Sequence, residues 1–309
     1  MSKALHAALV RLLEASDGQL PSSLLTQSQR KALNEFCIQT RSVSQVPRGR
    51  GSIYQVALRE VVERHLSEMA PLALADQAFL SSLPQRASNI GLSRSSKGGQ
   101  HSHDLHYLLL RAAGAGAGSA IWKREDGAFI DIQQAVQQQG AAVLTIGDSS
   151  LDDWVSDTPL WLVENQALFD RLDWLPETLT ATVAWYSGHL RNNLLHWLAQ
   201  RPRASSITLF PDYDGVGLQN YARLVQRTQQ PVEFWLMPDW ETKLKRFGNN
   251  RLWQDTASDF QAAITTLLPR LQPDAPLRAL INRMQSLGLA LEQEAIWLEA
   301  ADNGSGAGA

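Results

Sequence analysis

Four short apolar runs constrain the fold of this chain most strongly: "LWLV" (160–163), "ATVAW" (181–185), "SITLF" (206–210) and "VEFWLM" (232–237). The first three are followed by segments that suit amphipathic helices, "NQALFDRLDWL", "HLRNNLLHWLAQ" and "VGLQNYARLVQRTQQ". Short, nearly continuous apolar strands that alternate with such helices are typical of a parallel sheet covered on both faces. The sequence therefore predicts an α/β domain with a Rossmann-like parallel sheet over residues 141–255.

The first 75 residues follow a different pattern, which predicts helix, helix, hairpin and helix. The segments "KALHAALVRLLEA" and "TQSQRKALNEFCIQT" have helical spacing, and "RSVSQVPRGRGSIYQVAL" alternates around a glycine-containing turn. This order resembles an α+β winged-helix domain. The resemblance implies that Arg41, Arg48 and Arg50 contact DNA phosphates. Winged helices also dock other proteins, and that alternative stays open.

The rest of the chain is predicted as a connector (76–140), C-terminal helices (256–302) and a flexible tail (303–309). The connector contains "GLSRSSKGGQHSHDLHY", a Gly/Ser/His-rich loop in which Arg94 and Lys97 supply positive charge for phosphate contact. A structural metal site at His101, His103 and His106 is a weaker alternative, because no cysteine accompanies these histidines.

Length and composition narrow the possible classes of protein. At 309 residues the chain is long enough for two or three domains. Its single cysteine, Cys37, excludes an internal disulfide framework and a cysteine-based zinc site. No apolar stretch is long enough to span a bilayer, and the N-terminus lacks a signal-peptide pattern. We therefore expect a cytoplasmic protein without membrane contact.

Charge is distributed unevenly along the chain. Residues 1–125 contain 15 Lys and Arg against 9 Asp and Glu, whereas residues 126–309 contain 13 against 22. A basic first part suggests contact with a polyanion, and an acidic second part suggests a concentration of carboxylates.

Three acidic residues lie where a parallel sheet places its binding site. Glu164 directly follows the run 160–163, and Asp212 and Asp214 follow the run 206–210. Ligands bind beyond the carboxyl ends of parallel strands, so these side chains converge if the two strands are neighbours. Converging carboxylates repel one another unless a cation neutralises them, and hard oxygen ligands suit Mg²⁺ or Mn²⁺. The alternative is an ordinary polar turn beside an acid in the first turn of a helix.

Residues next to these acids are candidates for phosphate contact. Gly215 and Gly217 permit a tight turn and a close approach of phosphate to the start of the next helix. Gly188, His189 and Arg191 follow the run 181–185 and are expected at the same rim. There His189 and Arg191 either contact the scissile phosphate or form a solvated helix N-terminus.

The segments "LWLVENQALFDRL" and "SITLFPDYDGVGLQNY" resemble a Toprim domain, whose signature is a Glu after one strand and Asp-x-Asp after a later one. Within that superfamily, "VEN", "YSG" and "DYDGVGL" are similar to the JetD (MksG) nuclease subunits of Wadjet systems and to their relative, the topoisomerase VI A subunit. The resemblance covers about residues 155–240 and implies that Glu164, Asp212 and Asp214 are catalytic metal ligands. Gly215 departs from it, because many relatives have a bulkier residue there.

The resemblance implies a homodimeric, Mg²⁺- or Mn²⁺-dependent endonuclease that cleaves both strands of closed circular plasmid DNA. Its implied partners are an SMC ATPase, a kleisin and a small winged-helix subunit, which form a condensin-like plasmid-defence complex. Two alternatives remain: a non-catalytic DNA-binding adaptor with a Toprim fold, and a topoisomerase VI A-like transesterase. The second needs a nucleophilic tyrosine, but the sequence context of Tyr54 and Tyr107 favours packing roles for both.

Overall fold

The computed structural model of the chain describes residues 3–49, 51–69, 77–93, 95–97, 105–114, 120–147 and 152–299. The chain divides into two compact units, Met1–His103 and Asp104–Ala309. We describe each unit separately.

The first unit combines helices with a small antiparallel sheet. Its helices are α1 (Lys3–Glu14), α2 (Gln27–Thr40), α3 (Arg59–Met69), α4 (Gln77–Ser82) and α5 (Gln85–Ser93), and its strands are β1 (Gln19–Pro21), β2 (Val43–Arg48) and β3 (Gly51–Val56). The strands pair in the order β1-β3-β2. The predicted hairpin is confirmed: β2 pairs with β3, and Gly49 supplies the positive φ of the turn.

The second unit contains the predicted α/β elements. Its strands are β4 (His106–Ala113), β5 (Ile121–Lys123), β6 (Phe129–Asp131), β7 (Ala142–Ile146), β8 (Val155–Ser156), β9 (Leu160–Val163), β10 (Ala181–Trp185), β11 (Ile207–Phe210) and β12 (Val232–Phe234). Its helices are α6 (Ile132–Gln139), α7 (Gln166–Asp170), α8 (Asn192–Gln200), α9 (Gly215–Arg227), α10 (Trp240–Phe247), α11 (Asn250–Asp255), α12 (Ala257–Leu267) and α13 (Pro276–Leu287).

The main sheet of this unit is mixed, with six strands in the part of the chain described, in the order β12-β11-β9-β10-β4-β7. The four strands predicted from the apolar runs are mutually parallel, as expected. The prediction that the sheet is entirely parallel is wrong, because β4 is antiparallel to both β10 and β7. Strand β4 satisfies the backbone groups along one edge of β10. The segment 76–140, predicted as a connector, therefore contributes a strand to the sheet.

The chain reverses its direction of travel across the sheet at β9, near the centre of the sheet, and this reversal is called a switch point. Along the chain β9 is followed by β10 on one side, whereas β11 returns to pair with β9 on the other side. In open α/β sheets, ligands bind at such a reversal, in the crevice beyond the carboxyl ends of the strands. Every residue of β9 and β11 is buried, so this pair forms a rigid base for the residues that follow it.

The C-terminal helices are only partly as predicted. Helix α13 ends at Leu287 because Gly288 takes up a left-handed conformation, with φ of 63°. The helical pattern of the sequence extends to residue 298, but the chain instead forms isolated bridges from Ala290 to Asn249 and from Leu291 to Tyr213. A short 3₁₀ turn, Gln293–Trp297, follows. We call Glu292–Trp297 the C-terminal turn.

Helices α9 and α12 pack closely because residue 215 is a glycine. A Cβ atom at Gly215 would lie 1.9 Å from the Thr256 carbonyl oxygen and 2.6 Å from the Phe260 nitrogen, both of which are backbone atoms of the neighbouring segment. The Gly215 N–H also donates a hydrogen bond to Thr256 Oγ1 at 3.1 Å. Position 215 therefore has no room for a side chain.

We predict that Gly215→Ala destabilises the protein by about 1–3 kcal/mol, because backbone atoms cannot move aside as a flexible side chain can. Urea unfolding followed by circular dichroism measures this change. The control is Gly51→Ala, where the added Cβ meets only Ser22 Oγ, at 4.0 Å. An unchanged unfolding midpoint for Gly215→Ala would contradict the packing role.

Candidate functional site

Glu164 and Asp212 leave the sheet side by side. Strands β9 and β11 are parallel neighbours with Val163 opposite Phe210, so the residues after both strands emerge at one rim. The backbone N–H of Asp212 donates a hydrogen bond to Glu164 Oε2 at 3.3 Å. The predicted convergence of these two positions is therefore confirmed, and it follows directly from the strand pairing.

Glu164 is almost completely buried, with 8% of its surface exposed. The hydroxyl of Tyr186, at the end of β10, donates to Glu164 Oε2 at 3.1 Å. The pKa of Glu164 is raised to about 8, mainly by burial and also by the charges of Asp212 and Asp214, while the hydrogen bonds from Tyr186 and the Asp212 N–H oppose this shift. The ionised form of this carboxyl is therefore costly without a compensating positive charge.

Asp212 is held by donors from two distant parts of the chain. Its Oδ1 atom accepts hydrogen bonds from Asn165 Nδ2 at 3.1 Å and from the backbone N–H of Gln293 at 2.8 Å. The pKa of Asp212 is raised to about 7, mainly by burial. The hydrogen bond from the Gln293 N–H opposes this shift, and the charges of Asp214, Glu294 and Glu292 contribute to it. The C-terminal turn thus brings both a donor and further acids to this carboxyl.

Asp214 caps helix α9. Its Oδ1 atom accepts a hydrogen bond from the Gly217 N–H at 2.7 Å, which is the usual bond of an N-cap aspartate. Burial raises the pKa of Asp214, although its hydrogen bonds to the backbone N–H groups of Gly217 and Val216 and the charge of His189 lower it. The helix-cap role of Asp214 agrees with the alternative of an ordinary polar turn, and its role as a metal ligand stays a prediction.

A strained turn carries His189 to this rim. Ser187 and Gly188 both have positive φ values, of 58° and 68°, and residues other than glycine rarely adopt that backbone conformation. The buried amide of Asn220 clamps the turn by accepting from the Leu190 N–H at 3.0 Å and donating to the Gly188 carbonyl at 2.9 Å. His189 lies between these two bonds and is exposed. Arg191 is exposed and is the N-cap residue of α8, without a side-chain hydrogen bond to the helix. The pKa of His106 is lowered mainly by burial and also by the charge of Arg191.

The chemistry of the donors fits a hard divalent cation. Three carboxyl groups lie at or beside one rim, and burial raises the pKa of each. The charges of Asp212 and Asp214 also raise the pKa of Glu164, and the charge of Asp214 raises that of Asp212. Carboxylate oxygen is the ligand type that Mg²⁺ and Mn²⁺ prefer. Among the described residues, however, no three His, Cys, Asp or Glu side chains form a group that could hold a metal ion. The site therefore fits a divalent cation in the type of its ligands and in its location at the rim of the sheet.

The two glycines of the motif have structural roles in the protein itself. A Cβ at Gly217 would lie 2.1 Å from the Asp212 carbonyl oxygen and 2.8 Å from Pro211, so this position too has no room for a side chain. The N–H groups of Gly215 and Gly217 already donate to Thr256 and Asp214. Contact of a phosphate with these glycines stays a prediction.

The other predicted contact residues lie elsewhere. Arg41 and Arg48 are exposed in the first unit, and Lys97 is exposed after α5. Arg50, Arg94, His101 and His103 lie outside the described residues. His106 is the first residue of β4.

Tyr54 and Tyr107 differ in their environments. Tyr54 is fully buried, and its hydroxyl donates to Asn34 Oδ1 at 2.6 Å, which confirms the expected packing role. That expectation is wrong for Tyr107, which is 61% exposed, because its side chain leaves β4 on a face that the described residues cover only partly.

Three residues of this site were missed by sequence reasoning: Asn165, Tyr186 and Gln293. Asn165 and Tyr186 come one or two residues after the ends of their strands, in "VEN" and "WYSG", so their positions at the rim could have been predicted from the sequence. Gln293 carried none, because it lies 81 residues after Asp212 in a segment with a helical pattern.

Comparison with known proteins gives a family. The model described as "Domain of unknown function (DUF7281)" matches residues 121–301, more than half of the chain. No curated protein matches the chain. Within the residues described above, no helix is long and apolar enough to cross a membrane.

We predict that Glu164→Gln stabilises the metal-free protein at pH 8. An acid whose pKa is raised on folding binds more protons in the folded state than in the unfolded state, so stability is lost as pH rises from its ordinary value of 4.5 to about 8. Each pKa unit is worth roughly 1.4 kcal/mol, and 1 kcal/mol shifts the melting temperature by about 2–4 °C in a domain of this size.

Thermal melts in EDTA at pH 6 and pH 8 test this prediction. The advantage of Glu164→Gln over the wild type should be larger at pH 8 than at pH 6. The exposed Glu233→Gln serves as the control and should follow the wild type at both values. A Glu164→Gln variant that is less stable at pH 8 would contradict the stated cost of the buried charge.

Proposed function

The chain belongs to the DUF7281 family, and we propose that it is a metal-dependent endodeoxyribonuclease that cuts double-stranded DNA at a Toprim-type site. One observation carries the proposal: the buried Glu164 and the half-buried Asp212 emerge from neighbouring parallel strands at the switch point of the sheet and are joined through the Asp212 N–H. Asp214 begins the next helix. A purely structural role does not account for burying these acids together, since their charges destabilise one another.

The order β11-β9-β10 of parallel strands also supports the proposed Toprim assignment. In that assignment a Glu follows the strand that comes first along the chain, here β9, and Asp-x-Asp follows the strand that comes third, here β11. The first unit supports the proposed winged-helix assignment in a similar way, because helices α1 and α2 precede a hairpin whose tip contains Arg48.

In the proposed reaction, Glu164, Asp212 and Asp214 hold Mg²⁺ or Mn²⁺. When bound, such an ion polarises the phosphodiester and lowers the pKa of an attacking water. The chain supplies the rest of the arrangement. Tyr186 fixes Glu164 by its hydroxyl, and Asn165 fixes Asp212 by its amide. His189 and Arg191, both exposed at the rim, donate to the phosphate oxygens of the strand being cut.

Contact with DNA outside the site is proposed for the basic first unit. The proposed phosphate contacts are Arg41, Arg48 and Lys97, which are exposed, together with Arg50 and Arg94, which lie outside the described residues. Such contacts are independent of DNA sequence and weaken as salt increases. They bring the duplex to the enzyme, whereas the carboxylates carry out the chemistry.

The proposal includes partners. A homodimer provides one metal site for each strand of the duplex. A condensin-like complex of an SMC ATPase, a kleisin and a small winged-helix subunit delivers closed circular plasmid DNA, as in Wadjet systems. The protein then acts in plasmid defence at the nucleoid.

We predict that the wild type nicks and linearises supercoiled plasmid with Mn²⁺ or Mg²⁺, in the presence of the purified ATPase complex, and that Asp212→Asn lowers the rate at least about 100-fold. Loss of one ligand removes charge that the ion requires, and effects of about 10²–10³ are typical when one group that stabilises the transition state is lost. Agarose gels of timed samples measure the rate.

Glu233→Gln is the matched control, since it neutralises an exposed acid on β12 of the same sheet. Equal cleavage by the wild type and Asp212→Asn would overturn the assignment of the site. EDTA should abolish cleavage by every variant.

A second candidate function is a DNA-binding adaptor without catalysis. It is favoured by one observation, that no three acids among the described residues form a group able to hold a metal ion. Absence of cleavage by the wild type, together with plasmid binding that Asp212→Asn leaves unchanged, would favour this candidate. Of the two tyrosines that the transesterase alternative could use, Tyr54 is buried with its hydroxyl bonded to Asn34, whereas Tyr107 is exposed.

A further inference from the structure

Gln293 joins three parts of the candidate site. It is fully buried, and its Oε1 accepts a hydrogen bond from the Asn165 N–H at 2.8 Å, just beyond β9. Its Nε2 donates to the carbonyl of Phe210, the last residue of β11. Its own backbone N–H donates to Asp212 Oδ1 at 2.8 Å. One residue therefore connects the ends of both strands and one of the carboxylates.

The C-terminal turn that carries Gln293 is anchored independently of this side chain. Tyr213 and Leu291 exchange two backbone hydrogen bonds, of 2.7 and 3.0 Å. The buried Lys243 donates to the Ile296 carbonyl at 3.0 Å, and Trp297 Nε1 donates to Asp173 Oδ1 at 3.0 Å. Loss of the Gln293 amide therefore loosens the local alignment of the turn with the strand ends, while the turn as a whole stays attached.

The hydrogen bonds to Asp212 fall on one of its two oxygens. Asn165 Nδ2 and the Gln293 N–H both donate to Oδ1. Across the described part of the protein, Oδ2 of Asp212 accepts no hydrogen bond. Two donors on one oxygen restrict rotation of the carboxylate and leave its other oxygen available to a cation. This is how residues outside the direct ligand set orient a metal ligand in other proteins.

We infer that Gln293 is a positioning residue, which orients the Asp212 carboxylate for the divalent ion by aligning the C-terminal turn with the ends of β9 and β11. This inference rests on the proposed function. It deepens that function by adding a residue that contacts neither metal nor DNA and acts through Asp212.

The protein contains a matched control for this role. Gln230 is also buried, and its amide also joins two backbone groups: Oε1 accepts from the Arg203 N–H at 2.9 Å, and Nε2 donates to the Ala204 carbonyl at 3.3 Å. These bonds lie before β11, at the end of the strand opposite to Asp212. Leucine at either position keeps most of the side-chain volume and leaves two buried backbone groups unpaired, so both variants should lose similar stability.

The experiment compares Mn²⁺ binding by the wild type, Gln293→Leu and Gln230→Leu, using the full chain stripped of metal and the electron paramagnetic resonance signal of free Mn²⁺. We expect Gln293→Leu to bind Mn²⁺ about 10–100-fold more weakly, the range typical for loss of a residue that orients a metal ligand. Gln230→Leu should bind Mn²⁺ with an affinity within about twofold of that of the wild type, although this substitution should lower the stability of the protein as much as Gln293→Leu does. Plasmid cleavage by Gln293→Leu should need correspondingly more Mn²⁺ for half of its maximal rate.

The outcomes separate the inference from the proposed function. Mn²⁺ affinity of Gln293→Leu equal to that of the wild type, or an equal loss in both leucine variants, would overturn the positioning role and leave the nuclease proposal intact. A wild type that neither binds Mn²⁺ nor cleaves DNA would overturn both. If Gln293→Leu does not fold, Asn165→Ala tests the same point, since it removes the other donor to Asp212 Oδ1; unchanged Mn²⁺ affinity in this variant would overturn the inference.

Discussion

The parallel pairing of β9 with β11 determines where Glu164 and Asp212 lie, and the other groups of the candidate site are arranged around these two acids. Because Val163 lies opposite Phe210, the residues that follow both strands emerge together, and the Asp212 N–H reaches the Glu164 carboxylate. A shift of the register by one residue would turn each side chain to the other face of the sheet. Every residue of both strands is buried, so such a shift would disrupt close packing on both faces of the sheet. The hydrophobic core therefore maintains the arrangement of the acids, although it contributes none of their chemistry.

The part of this arrangement that could be predicted from the sequence is the part determined by local pattern. The four apolar runs gave the parallel strands, and the positions of Glu164 and Asp212 directly after two of them placed both acids at one rim. The antiparallel strand β4 was missed because its apolar residues stand between a Gly/Ser/His-rich loop and a Gly/Ala-rich stretch, both of which indicate a connector. Composition obscured the strand, and only tertiary pairing with β10 reveals it.

Gln293 shows a different limit of sequence reasoning. The pattern of residues 275–298 is helical throughout, yet Gly288 ends α13 and redirects the chain towards the rim. A glycine within a helical pattern is tolerated in many helices, so its left-handed conformation becomes evident only when the bridges to Asn249 and Tyr213 are seen. The contact between Gln293 and Asn165 spans 128 residues, and no local rule of spacing reaches that far.

The dependence of Asp212 on Gln293 also has a consequence in time. Proteins are synthesised from the N-terminus at roughly 5–20 residues per second, and Gln293 is 81 residues later than Asp212. For about 4–16 seconds of synthesis, Asp212 therefore exists on the nascent chain without the Gln293 N–H that donates to it. A chain interrupted before Gln293 has Glu164, Asp212 and Asp214 but lacks this hydrogen bond and the amide that joins the ends of β9 and β11. The order of synthesis therefore separates the appearance of the acids from the completion of the contacts around Asp212.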